Sequence, residues 1–166
     1  TRFDTELVMW TAPEFVEAKL REREAHYRLL AENSSDMVIW ATLDTVRRYV
    51  SPASRTLLGY ESEELIGTKP MDQVHPADAE GYGRLLADLC AERVTRAVST
   101  QRYRRKDGNW IWVEVNFNLT YEADSERASG YVAAARDISA RKEAEFQIAH
   151  MARHDALTDL ANRTLF

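Results

Sequence analysis

VSTQRYRRKDGNWIWVEVNFNLTY, residues 98–121, consists of two arms rich in β-branched and aromatic residues around Asp107-Gly108. An Asp-Gly pair between such arms predicts a two-residue type I′ hairpin, whose two central residues both need φ > 0. After the turn, Ile111, Val113, Val115, Phe117 and Leu119 share one parity. Trp110, Trp112, Glu114, Asn116 and Asn118 share the other. Successive strand residues point to opposite faces, so the first set is the expected core face. The second is polar at one end and carries two tryptophans at the other. An antiparallel sheet with such an outer patch needs a cover.

Downstream, a polar loop at 122–129 leads to a last strand, Gly130–Ile138 (GYVAAARDI). A charged helix follows from Ser139, with Ala140, Ala144, Ile148 and Met151 as a weak stripe and Phe146 opposite. Upstream, Thr11, Pro13 and Glu14 form a capping-box start for a helix over 13–32. Its stripe is Val16, Leu20, Tyr27, Leu30 and Ala31. Asp36–Thr42 reads as a strand, with Ile39 and Ala41 on one face and Val38 and Trp40 on the other. Arg47–Ser51 is a second strand. Ser51 is the expected cap and Pro52 the first residue of a short helix that stops at Gly59. Another short helix, Glu61–Ile66, precedes His75-Pro76, which opens a longer helix to about Glu92 with Tyr82, Leu85, Leu86 and Leu89 inward. Two strands, a helical block and three more strands give α+β with an antiparallel sheet.

The totals exclude several classes. The 166 residues suffice for one domain with flanking helices. Hydrophobic residues at 45% and charged at 30% predict a soluble globular chain. A net charge of -5 gives no nucleic-acid footprint, since Arg102, Arg104, Arg105 and Lys106 form only a local run at a hairpin tip. The single Cys90 allows no internal disulfide, as expected in the cytoplasm. No apolar run approaches a membrane span and no signal peptide is visible.

Tyr49-Val50-Ser51-Pro52-Ala53, Leu58-Gly59-Tyr60 with Glu64-Leu65-Ile66-Gly67, and Val74-His75-Pro76-Ala77-Asp78 occur in this order. With the hairpin at 103–115 and Arg136-Asp137-Ile138-Ser139, they make residues 27–139 resemble a PAS sensory domain. The resemblance implies a five-stranded antiparallel sheet in the order 2-1-5-4-3 with helices over one face. It also implies a sensing role, often as a dimer, with output through the following helix by way of Asp137 and Ile138. The end of the chain, His154-Asp155-Ala156-Leu157-Thr158-Asp159-Leu160-Ala161-Asn162-Arg163, resembles the entry to a GGDEF diguanylate cyclase domain. Asp159 and Ala161 stand where that family has glycine and proline. The resemblance would put Asn162 near guanine in a complete enzyme. The expected organisation is a tail at 1–12, a helix at 13–32, a PAS domain at 33–139, a signalling helix at 140–153 and a truncated GGDEF start at 154–166.

On this reading the fragment is a non-catalytic regulatory module of a bacterial cyclic di-GMP protein. Its partners are a second copy and the downstream cyclase. No nucleic acid, membrane insertion, metal or cofactor is expected. His75 reads as a capping or packing residue rather than a ligand. His150 and His154 have zinc spacing but lack a third ligand. Gln101 and Tyr103 share the interior parity with Ile39, Ala41, Val113 and Ala135, and Tyr82 faces them from the long helix. These residues are the candidate small-molecule pocket. Val16, Leu20, Tyr27 and Leu30 are the candidate cover for Trp40, Trp110 and Trp112. Two rivals remain: a structural interaction module without ligand, and a haem or flavin sensor. The second lacks the family's axial histidine and its Asn-Cys-Arg motif.

Overall fold

The computed structural model describes residues 13–153, apart from some side chains of the first helix. The chain divides after Ser35 into two units. The first contains helix α1, Pro13–Glu32. Its end is set by Asn33, whose backbone N–H and side-chain Nδ2 both donate to the Leu29 carbonyl, at 3.1 and 2.7 Å. Leu29 and Leu30 are exposed, and the side chains of Val16, Leu20 and Tyr27 lie outside the described residues.

The second unit runs β1 (Met37–Thr42), β2 (Arg47–Val50), α2 (Ala53–Leu58), α3 (Ser62–Leu65), a 3₁₀ turn (Pro70–Asp72) and α4 (Pro76–Cys90). Then come β3 (Arg96–Arg104), β4 (Trp110–Tyr121), β5 (Ala128–Asp137) and α5 (Ser139–Arg153). All neighbouring strands are antiparallel and the sheet order is β2-β1-β5-β4-β3. This is the order implied by the sequence resemblance. Chain termini of the sheet meet in its middle, where β5 pairs with both β1 and β4.

Parity holds along the three long strands. Val113, Val115, Phe117 and Leu119 are buried, as are Gln101 and Tyr103. Tyr82, Leu86 and Leu89 of α4 pack onto them. Each such apolar side chain contributes about 1.5–3 kcal/mol by leaving water. Small residues let backbones close up: a Cβ on Gly130 would stand 2.3 Å from the Ala41 carbonyl oxygen.

Two local expectations are corrected. The hairpin tip is longer than a type I′ pair: Gly108 N–H donates to Arg105 C=O and Arg105 N–H to Asn109 C=O. Only Gly108, at φ 90°, is left-handed there, because a longer loop restores the strand twist with one such residue instead of two. Ser51 does not cap α2. Its hydroxyl accepts from Val38 N–H at 2.9 Å while its own N–H donates to Val38 C=O, which extends the β1–β2 ladder.

Both rims of the sheet are partly occupied. Along β2, Arg47 N–H donates to Thr68 C=O and Gly67 N–H to Arg47 C=O. Along β3, His75 N–H donates to Arg102 C=O and Arg104 N–H to Gln73 C=O, so residues 73–75 act as a short extra strand. No helix of the described residues is long and apolar enough to cross a membrane. The GGDEF-like stretch 154–166 lies outside the described residues.

Candidate functional site

Two places gather chemistry-bearing residues: the core between sheet and α4, and the outer face where β4 meets α5.

The alanines at 41, 133 and 135 leave space over β1 and β5, and aromatic rings fill it. Phe117 packs on Tyr131 at 5.8 Å between centroids, and Tyr82 lies 6.2 Å from both Phe117 and Tyr103. The Tyr82 and Tyr103 hydroxyls share a hydrogen bond of 2.7 Å, so the two buried phenols satisfy each other. Burial pushes the Tyr82 phenol well above its ordinary value, with the Tyr103 oxygen adding to the shift. Burial raises Tyr103 and Tyr131 as well, and the Arg47 guanidinium partly opposes all three shifts. The space left is a cavity of about 10 Å³, lined by Arg47, Tyr82, Tyr103, Phe117, Tyr131 and neighbouring aliphatic residues. That is roughly the room of one water.

Ile39, Tyr82 and Tyr103 of the expected pocket line this cavity. Ala41, Gln101, Val113 and Ala135 are buried in the same core without lining it. Gln101 accepts from the Ser99 hydroxyl, and its Nε2 has no hydrogen-bond partner among the described residues. Arg47 is the residue that sequence reasoning missed. It is 1% exposed. Plain alternation from the inward Val50 would send Arg48 inside. A bulge intervenes: Trp40 faces Tyr49, but Ala41 faces Arg47, so Arg48 is the extra residue and is exposed.

On the outer face, Trp112 is held at both backbone atoms by the start of α5. Its N–H donates to Ser139 Oγ at 3.1 Å and its carbonyl accepts from Ile138 N–H at 2.9 Å. Asp137 Oδ1 accepts from Ser139 N–H at 2.8 Å and starts the helix. Arg141 pairs with Glu114 at 2.8 Å, and Lys142 stands 5.5 Å over the Trp112 ring, with Arg102 at 5.1 Å. Trp40 donates from Nε1 to Thr120 Oγ1 at 3.4 Å. Trp110 remains exposed, with its ring 4.6 Å from His75. His75 caps α4 by accepting from Ala77 N–H at Nδ1, which is the structural role the sequence suggests. Cys90 sits beside a surface groove bounded by Leu43, Met71, Gly83 and Leu86, away from the core cavity. Burial pushes its thiol up, away from the reactive thiolate. No cluster of three potential metal ligands occurs among the described residues.

Comparison with known proteins places this architecture. A family model described as PAS fold matches residues 47–134. The uncharacterized protein y4lL of Sinorhizobium fredii is 32% identical over 152 residues, 87% of this chain and 18% of its own length. The blue light receptor lreA of Aspergillus flavus is 33% identical over 115 residues, 69% of this chain and 13% of its own length. The chain thus spans under a fifth of these relatives. Among solved structures, a PAS domain from Colwellia psychrerythraea superposes with a TM-score of 0.62 at 24% identity, covering 70% of this chain and 98% of that one.

Proposed function

The chain belongs to the PAS family, and on that premise we propose that it is the sensory and dimerisation module that regulates a diguanylate cyclase carried further along the same chain. The PAS domain does no chemistry itself. A signal acting on the core or outer face biases two arrangements of α5, and α5 passes the bias to the catalytic domains. The observation that carries this reading is the joint at Trp112, where sheet hydrogen bonding runs without a break into the first turn of α5. The resemblance of 154–163 to a GGDEF entry supports the cyclase as the output, and a second copy is the expected partner.

The test uses the 166 residues placed in frame ahead of an intact diguanylate cyclase domain. Glu114→Arg sets two cations against each other across the joint and should change cyclic di-GMP output several-fold. Adding Arg141→Glu should restore it, because the reversed pair closes the same contact. Output that ignores both changes would defeat the proposed route. A second reading, an interaction module without ligand, is favoured by the nearly filled core. Native mass spectrometry separates the two: a small molecule retained by the folded protein removes the ligand-free reading.

A further inference from the structure

The Trp112 ring carries two cations. The Arg102 guanidinium lies 5.1 Å from its centre and the Lys142 ammonium 5.5 Å from it. The face of an indole attracts positive charge, so each cation alone is held there. Together they repel each other. Both side chains are partly buried, and charges so sheltered are screened by salt less than those on an open surface.

The two cations belong to different ends of the fold. Lys142 is in the first turn of α5, where its N–H donates to Ile138 C=O at 2.9 Å. Its ammonium pairs with Glu145, an exposed residue of the same helix, at 3.3 Å. Arg102 is on β3 directly opposite Trp112, and it is bound to the start of α4. The Asp78 carboxylate accepts from its backbone N–H, Nε and Nη2, and its carbonyl accepts from His75 N–H at 2.9 Å. One carboxylate of α4 thus sets how much positive charge Arg102 shows to Lys142 across the ring. With Asp78 seated, its charge offsets that of Arg102 and Lys142 keeps the ring. With Asp78 drawn away, Arg102 stands as a bare cation beside Lys142, and the joint at Trp112 is pushed open.

We propose that Asp78 is a positioning residue for the β4–α5 joint: it neutralises Arg102, and by doing so lets Lys142 hold the Trp112 ring. A ligand or partner that shifts the start of α4 then loosens α5 without touching it. As a signalling route this rests on the sensory reading above, but the coupling itself does not.

The experiment is amide hydrogen exchange of the 166-residue chain. The Trp112, Ile138 and Lys142 amides report on the joint, and the core amide of Val115 is the reference. Asp78→Asn keeps the shape and removes the charge. It should speed exchange at the three reporters several-fold relative to Val115. Arg102→Met breaks the same ion pair but takes the repelling cation away, so the reporters should keep or gain protection. A merely structural ion pair would loosen the joint equally in both variants. With Lys142→Met already present, Asp78→Asn should no longer speed the reporters. If Asp78→Asn or Arg102→Met fails to fold, Lys142→Met alone supplies the readout. Coupling is reciprocal, so it should slow exchange of the Arg102 amide that donates to Asp78. Reporters unmoved by Asp78→Asn, or moved equally by Arg102→Met, would overturn the proposal. So would an Asp78→Asn effect that survives Lys142→Met, or an Arg102 amide indifferent to Lys142→Met. Cyclase output is tested through Glu114 and Arg141, neither of which is varied here, so either proposal can fail without the other.

Discussion

Asp78 accepts three hydrogen bonds from one residue, Arg102, at the backbone N–H, Nε and Nη2, each 2.9 Å long. Their side chains are 19% and 29% exposed, so water screens the pair only in part. The Arg102 guanidinium holds the Asp78 carboxyl below its ordinary pKa. A carboxyl depressed on folding contributes stability above its unfolded pKa and loses it as pH falls through the native value. Asp78→Asn is therefore expected to cost about 1–3 kcal/mol near neutral pH, read from denaturant midpoints. The gap to wild type should close as the pH drops below about 4. A gap undiminished in acid would mean that packing, not charge, is what Asp78 supplies. The same scale explains why Arg47 was invisible in the sequence. Two adjacent arginines look alike, and only the bulge opposite Ala41 decides which one is swallowed.

Elements were far more legible than single contacts. The alternation in Trp110–Tyr121 and Ala128–Asp137 marks strands because one face is uniformly apolar, and the proline-bearing starts of α1 and α4 are local signals. The strand order came from family resemblance, since pairing partners lie far apart in the chain. The core parity of Gln101, Tyr103 and Val113 was readable, but the cavity they were expected to line was not. Whether small residues leave a hollow depends on the rings that lean in from α4 and β5. The joint of β4 and α5 was also hidden, because it rests on backbone atoms of Trp112. Ser139→Ala should leave the Trp112 N–H without its partner. A destabilisation of about 1 kcal/mol is expected, with faster hydrogen exchange at that amide. Unchanged exchange at Trp112 would show that the helix start does not guard the strand.

At the scale of the whole molecule, exposed apolar residues gather on the outer face and on α5. Val98 and Trp110 on the outer face and Phe146, Ile148 and Met151 on α5 are all uncovered. The proposed dimer would bury them with the stripe on α1, a helix about 30 Å long at 1.5 Å per residue. Sedimentation should find a dimer for the 166-residue chain. Removing residues 1–26 should give monomers or aggregates. A persistent monomer at high concentration, or a clean dimer after the deletion, would rule this assembly out. The occupied rims bear on how large any assembly grows. Residues 67–68 cover Arg47 on one rim and 73–75 cover Arg102–Arg104 on the other, so at those positions an incoming strand finds the backbone taken. On β3 the stretch Arg96–Thr100 stays open to strand addition, and there a charged Arg96 stands guard. Association is thereby steered to face-on pairs, which close after two, and away from ribbons, which do not.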